Sequence, residues 1–149
     1  MANVLFLCTG NYYRSRLAEL YFNHVTEREG LPWRAESRGL QITGRNVGPI
    51  SQHTRQWMTE QSIPLSEPIR SPIPVKEADF WTAERIIAVK DAEHRPMMGK
   101  YFPHWADRVE YWSIHDLDAA EPSDAIPELV DHVDRLIVEF KAKAKPRNI

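Results

Sequence analysis

The 149 residues of this chain predict an α/β fold, a parallel sheet with helices on both faces. Three observations carry that reading. Two short apolar runs, residues 3–7 and residues 84–90 with Ile86-Ile87-Ala88-Val89 at their centre, have the composition of strands buried on both faces. Segments with apolar residues at helical spacing follow both runs. Strand and helix therefore alternate, and alternation builds a parallel sheet because each crossover returns through a helix.

The elements follow in order. Residues 3–7 form the first strand. Residues 14–29 set Leu17, Leu20, Tyr21, His24 and Val25 near helical spacing, and Gly30 supplies a stop. Residues 33–40 are a second strand, and residues 51–61 an amphipathic helix. The Pro-rich stretch 63–74 reads as a long surface loop. Residues 84–90 are the third strand, residues 92–100 a short helix, and residues 108–113 the fourth strand. Residues 123–143 carry Ile126, Leu129, Val130, Val133, Leu136, Ile137 and Phe140, the stripe of a long terminal helix with Ser123 as its cap. The whole of 1–149 reads as one domain, with a basic tail from about 143 expected to fray.

Composition narrows the function classes. Hydrophobic residues make up 42% and charged residues 27% of the chain, ordinary for a globular protein. The formal net charge of -2 gives no basic field for nucleic acid or anionic membrane. No apolar run approaches the roughly 20 residues that span a bilayer, and the start lacks the features of a signal peptide. One cysteine forms no internal disulfide and supports no thiolate-rich zinc site. No metal and no cofactor is expected, and a reducing, cytoplasmic setting is.

That cysteine, Cys8, stands where ligands bind in such sheets, at the carboxyl end of the first strand. It opens the loop Cys8-Thr9-Gly10-Asn11-Tyr12-Tyr13-Arg14-Ser15, which runs directly into a helix. A helix N-terminus offers unpaired N–H groups and a positive dipole end to an anion. Gly10 permits close backbone approach, and Asn11 tolerates a left-handed conformation. Arg14 supplies a planar fork for two phosphate oxygens. This field favours the thiolate of Cys8, and Ser15 is placed to donate to it. A lone cysteine at a strand end is commonly a small buried hydrophobe. The spacing from Cys8 to Arg14 and Ser15, between a buried strand and an amphipathic helix, argues for a nucleophile instead.

The run Val4-Leu5-Phe6-Leu7-Cys8-Thr9-Gly10-Asn11, followed by Arg14-Ser15 and Leu17-Ala18-Glu19, resembles the low-molecular-weight protein tyrosine phosphatases. The resemblance spans most of the chain. It implies a four-stranded parallel sheet and metal-free hydrolysis through a phosphocysteine intermediate. It implies Cys8 as nucleophile, Arg14 on the phosphate and transition state, Asn11 shaping the loop and Ser15 supporting the thiolate. The loop 9–15 would bind phosphate throughout. The Trp-x-Ile-x-Asp pattern of Trp112, Ile114 and Asp116 implies Asp116 as general acid. Expected partners are a phosphotyrosine protein or a small aryl phosphate as substrate and inorganic phosphate as product, with no nucleic acid and no membrane.

The chain departs from the family in places. The Pro-Tyr that follows the acid in relatives is Leu117-Asp118 here, which makes Asp118 the competing acid. Many relatives carry a second cysteine at the place of Tyr13, so a protective disulfide for Cys8 is impossible here. Tyr12 stands at a position that walls the substrate slot. Ser37-Arg38-Gly39 replaces Ser-Ala-Gly and puts Ser37 against the phosphate loop. Asp91 is read as a cap of the next helix, and residues 45–48 fall in the region that shapes substrate choice. Two alternatives stay open. One is a phosphoprotein-binding module with little turnover. The other is an arsenate reductase-like protein, disfavoured because resolving cysteines are lacking.

Overall fold

The computed structural model describes residues 2–116 and 121–144. Four parallel strands stand in the order β2-β1-β3-β4. They are β1 (Val4–Cys8), β2 (Ala35–Gly39), β3 (Arg85–Ala88) and β4 (Glu110–Tyr111). The helices are α1 (Arg14–Arg28), α2 (Gln52–Glu60), α3 (Glu77–Trp81), α4 (Asp91–Tyr101) and α5 (Pro122–Ala144). The chain leaves β1 to one side for β2 and returns to the other side for β3. The switch in strand order falls at the carboxyl end of β1, where Cys8 lies.

Alternation along the strands divides the core in two. Val4 and Phe6 of β1, with Ile87 and Val89, face a cluster that includes Leu17 and Phe22 of α1 and Leu129, Val133 and Phe140 of α5. Leu5, Leu7, Ile86 and Ala88 face the other way, onto Phe80 of α3, Met98 of α4 and Trp105. Burial on both faces explains why β1 and β3 are legible as unbroken apolar runs. Phe22 and Phe140 meet edge to face with centroids 6.0 Å apart and lock α1 to α5.

Three expectations change. Helix α5 begins at Pro122, so Ser123 lies in its first turn and is not the cap. Proline suits the first helical position because its missing N–H would have had no partner there. Asp91 does not cap α4 either. Lys90 is the N-cap residue, and the exposed Asp91 carboxylate binds Arg95 at 2.7 and 2.9 Å. The stretch read as a plain surface loop does more: Pro74 bridges Gly39, and the chain just before it packs against the site. The competing acid Asp118 and the tail 145–149 lie outside the described residues.

The end of β2 is wedged against the loop that follows β1. Leu40 and Gln41 donate their N–H groups to the carbonyls of Cys8 and Thr9, each at 2.9 Å. A Cβ on Gly39 would lie 2.7 Å from the Ile42 side chain and 3.0 Å from the Thr9 carbonyl oxygen. Gly39→Ala is expected to destabilise the fold by about 1–3 kcal/mol. The urea midpoint measures this, and an unchanged midpoint would show that the contact relaxes freely.

Candidate active site

Helix α1 starts with an N-terminus left open. Its N-cap residue, Tyr13, makes no side-chain cap bond, and its first turn holds no acidic residue. Among the described residues, the backbone N–H groups of Gly10 to Arg14 donate to no backbone carbonyl. An uncapped helix end beside a loop of unpaired amides is an anion site. Cys8 Sγ lies 2.8 Å from Ser15 Oγ. Asn11 Nδ2 already donates to that hydroxyl at 2.9 Å, which leaves the Ser15 proton for the sulfur. A thiolate there has a donor built in.

The loop is braced from outside. Asn11 is fully buried in a left-handed conformation with φ 48°. Its amide nitrogen also donates to Ser37 Oγ at 2.9 Å. Its oxygen accepts from Arg70 Nη1 and the Ile73 amide, both at 3.0 Å. Arg70 reaches Ser37 Oγ at 2.9 Å and pairs with Glu19 of α1 at 2.8 Å. Arg16, buried to 1% exposure, ties α1 to the Pro49 carbonyl at 3.0 Å. Its guanidinium is pushed down to about 10 by burial, with neighbouring Arg70 adding to the effect.

Arg14 is buried and held by charge. Nη1 donates to the Ile114 carbonyl at 3.1 Å and lies 2.8 Å from Glu93 Oε2. Nη2 reaches Glu93 Oε1 at 3.3 Å and Asp116 Oδ2 at 3.4 Å. Burial opposes this charge, but Cys8, Glu93 and Asp116 outweigh it and hold the guanidinium pKa above its ordinary value. Burial also opposes the charge on Glu93. Arg14 overrides it, helped by His94 and Thr9, and the carboxyl titrates below its usual range.

Glu93 is positioned by a relay. The Lys90 amide donates to His94 Nδ1 at 3.0 Å, so the neutral imidazole carries its proton on Nε2. That nitrogen lies 3.1 Å from Thr9 Oγ1, which in turn donates to Glu93 Oε1 at 2.9 Å. His94 is fully buried, and burial next to Arg14 pushes its pKa down to about 4.

Asp116 reaches the site because β4 runs on beside the end of β3. The Ile114 amide donates to the Val89 carbonyl at 2.7 Å, and the Asp91 amide to the Trp112 carbonyl at 2.7 Å. The result is a cleft of about 270 Å3 lined by Cys8, Thr9, Gly10, Tyr12, Arg14 and Asp116, among others. Tyr12 forms part of a wall, its hydroxyl bonded to the Val47 carbonyl. Of the residues singled out from the loop, Cys8, Thr9, Gly10, Tyr12, Tyr13 and Arg14 line this cleft with Asp116, and Asn11 and Ser15 are buried behind it. Glu93, His94 and Arg70 were not foreseen. The first two carried a signal, because the first turn of a helix that follows a strand faces the same end of the sheet.

In this arrangement a buried thiol stands beside a loop of unpaired amides and a buried arginine, with a carboxylate lining the same cleft. It defines a class, the cysteine-dependent phosphatases. A family model for low molecular weight phosphotyrosine protein phosphatase matches residues 3–137, and the chain belongs to that family. It is 28% identical over 151 residues to a protein-arginine-phosphatase of Bacillus subtilis, covering 96% of this chain and 97% of the relative. It is 30% identical over 130 residues to the low molecular weight protein-tyrosine-phosphatase YfkJ of the same organism, covering 83% and 80%. The crystal structure of YfkJ superposes with a TM-score of 0.81 at 21% identity, covering 97% of this chain and 98% of that one. Among the described residues no helix is long and apolar enough to cross a membrane.

The relay makes the site sensitive to acid. His94 binds its proton less readily folded than unfolded, so the unfolded chain holds more protons between about pH 6.5 and 4. Stability is therefore full above that window and falls as the pH drops through it. The loss attributable to His94 between pH 7 and pH 5 is about 2 kcal/mol. Urea unfolding of wild type and His94→Asn at both pH values measures it, and the variant should show a shallower dependence.

Proposed function

We propose that the chain hydrolyses phosphate monoesters on tyrosine or similar aryl alcohols. The observation that carries this reading is the Cys8 sulfur 2.8 Å from the Ser15 hydroxyl, in the cleft that Arg14 and Asp116 also line. The Cys8 thiolate attacks phosphorus in line with the leaving oxygen. The S–P bond forms as the P–O bond breaks, and Asp116 gives its proton to the departing oxygen. The loop amides of residues 9–15 and Arg14 hold the equatorial oxygens as their charge grows. Water then attacks the phosphocysteine, Asp116 takes its proton, and inorganic phosphate leaves with the thiolate restored. Tyr12, tethered to the Val47 carbonyl, offers a flat wall for an aromatic leaving group. The cytoplasm is the compartment in which a lone unprotected thiol keeps this reactivity.

Cys8→Ser is expected to abolish para-nitrophenyl phosphate turnover while vanadate still binds, and substantial residual hydrolysis would remove Cys8 from its role. Asp116→Asn is expected to slow aryl phosphate turnover roughly a hundredfold or more. If Asp118→Asn does so instead, the acid is Asp118. Phosphopeptide held by the wild type without phosphate release would favour a binding module.

A second reading, phosphoarginine as substrate, has its own support. Glu93 and Asp116 put two carboxylates in the cleft, which suits a cationic leaving group. One curated relative is named a protein-arginine-phosphatase. Phosphate release from peptides of one sequence, carrying either phosphotyrosine or phosphoarginine, separates the readings. The tyrosine peptide is expected to be cleaved at least about tenfold faster, about 1.4 kcal/mol in the barrier. The opposite ranking would assign the arginine substrate.

A further inference from the structure

The cleft has a neighbour. A second hollow of about 620 Å3 lies beside it, between residues 45–50 and the start of α2. Tyr12, Asn46 and Ser51 line both hollows, so the two adjoin. Two joints pin their common wall to the phosphate loop. The Tyr12 hydroxyl donates to the Val47 carbonyl, and the Asn46 amide reaches back to within 3.3 Å of where a Cβ on Gly10 would stand.

The hollows differ in charge. Glu93 and Asp116 line the cleft. No carboxylate lines the groove, whose charged residues are Arg45 and Arg55, with His53 between them in sequence. Both arginines are exposed. Among the described residues Arg45 enters no ion pair, and Arg55 meets only Glu67, at 3.4 Å with both side chains open to water. An exposed pair of that kind is weak and yields readily to another partner. The groove is thus a local reversal of sign in a chain of net charge -2. Val47, 86% exposed, adds an apolar surface at its rim.

Exposed arginines are commonly no more than solvated. Position sets these two apart. An extended chain advances at most about 3.6 Å per residue, so residues one to three places from a phosphotyrosine in the cleft lie within about 10 Å of it. That is the neighbourhood of a hollow sharing a wall with the cleft. A small aryl phosphate ends inside the cleft, whereas a peptide runs on past Tyr12.

We propose that this groove is a subsite for acidic residues flanking the phosphorylated tyrosine of a protein substrate. It rests on the phosphatase reading above and narrows its substrate to an acidic segment. Arg45 and Arg55 pair with carboxylates of that segment at the rim, where charge steers encounter and fixes register more than it grips. The effect therefore falls on KM and leaves the chemistry at Cys8 alone.

The test uses two peptides of one length, with phosphotyrosine set between glutamates or between lysines. Phosphate release is measured with the full chain and with the double variant Arg45→Glu, Arg55→Glu. Wild type is expected to favour the glutamate peptide at least about tenfold in kcat/KM at low salt, with the difference in KM. Most of that margin is expected to vanish near 1 M salt, where the screening length is about 3 Å. The double variant is expected to favour the lysine peptide. Each preference is a ratio within one preparation, so any loss of folded protein cancels. Equal rates on the two peptides in wild type overturn the proposal, as does a preference that the double variant keeps. Turnover of para-nitrophenyl phosphate by wild type keeps the two readings apart. With that turnover present, failure of the peptide arms removes the groove alone. Its absence removes the phosphatase mechanism itself, and the groove with it.

Discussion

A loop that binds an anion through its own amides cannot satisfy them internally, and this constraint shapes most of the molecule around residues 8–15. Ordinary turns gain rigidity by bonding their N–H groups to their own carbonyls. Here those groups must converge on open space, so rigidity comes from behind. The buried Asn11 amide supplies it, with every donor and acceptor engaged: Ser15 and Ser37 on one side, Arg70 and the Ile73 amide on the other. Its left-handed backbone turns the chain inside out, which asparagine tolerates better than most residues. Glycine would reach the same conformation but would leave Ser37 and Arg70 without their partner. The wedge of Gly39 against Thr9 closes the remaining side.

This division between inside and outside explains what could be read from sequence. The residues that face the ligand are contiguous, because one strand end and one helix start deliver them, and contiguity makes a pattern. The strands were legible for a similar local reason: burial on both faces leaves an unbroken apolar run in β1 and β3. The bracing residues are scattered. Arg70 sits in a Pro-rich stretch with no periodicity and reaches Asn11 across 59 positions of chain. Glu93 is 79 positions from Arg14, and only its place in the first turn of the helix after β3 sets it apart from a solvated acid. Asp91, two positions earlier on that helix, reads from sequence as its cap and is instead bound to Arg95 on the surface. Helical geometry separates them: two residues apart is more than half a turn, so one faces the cleft when the other faces water.

The distribution of charge resolves an apparent conflict. A chain of net charge -2 is poorly suited to attract a doubly charged ligand through its overall field. Local charge helps only in part, because Glu93 and Asp116 both lie on Arg14, the one cation of the cleft lining among the described residues. His94 adds no positive charge at neutral pH, since burial beside Arg14 keeps its imidazole neutral. Much of the attraction therefore falls to dipoles: the unpaired amides of the loop and the open N-terminus of α1, which has no side-chain cap bond and no acidic residue in its first turn. Dipoles act over short range and with fixed direction. They bind an anion only when its oxygens occupy the right points, and they bind it best when charge spreads over those oxygens in the transition state. The carboxylates on Arg14 then have a purpose beyond placement. On the mechanism proposed above, they offset a charge that would otherwise hold inorganic phosphate as firmly as the substrate. Selectivity for the transition state is left to groups whose geometry, rather than net charge, does the discriminating.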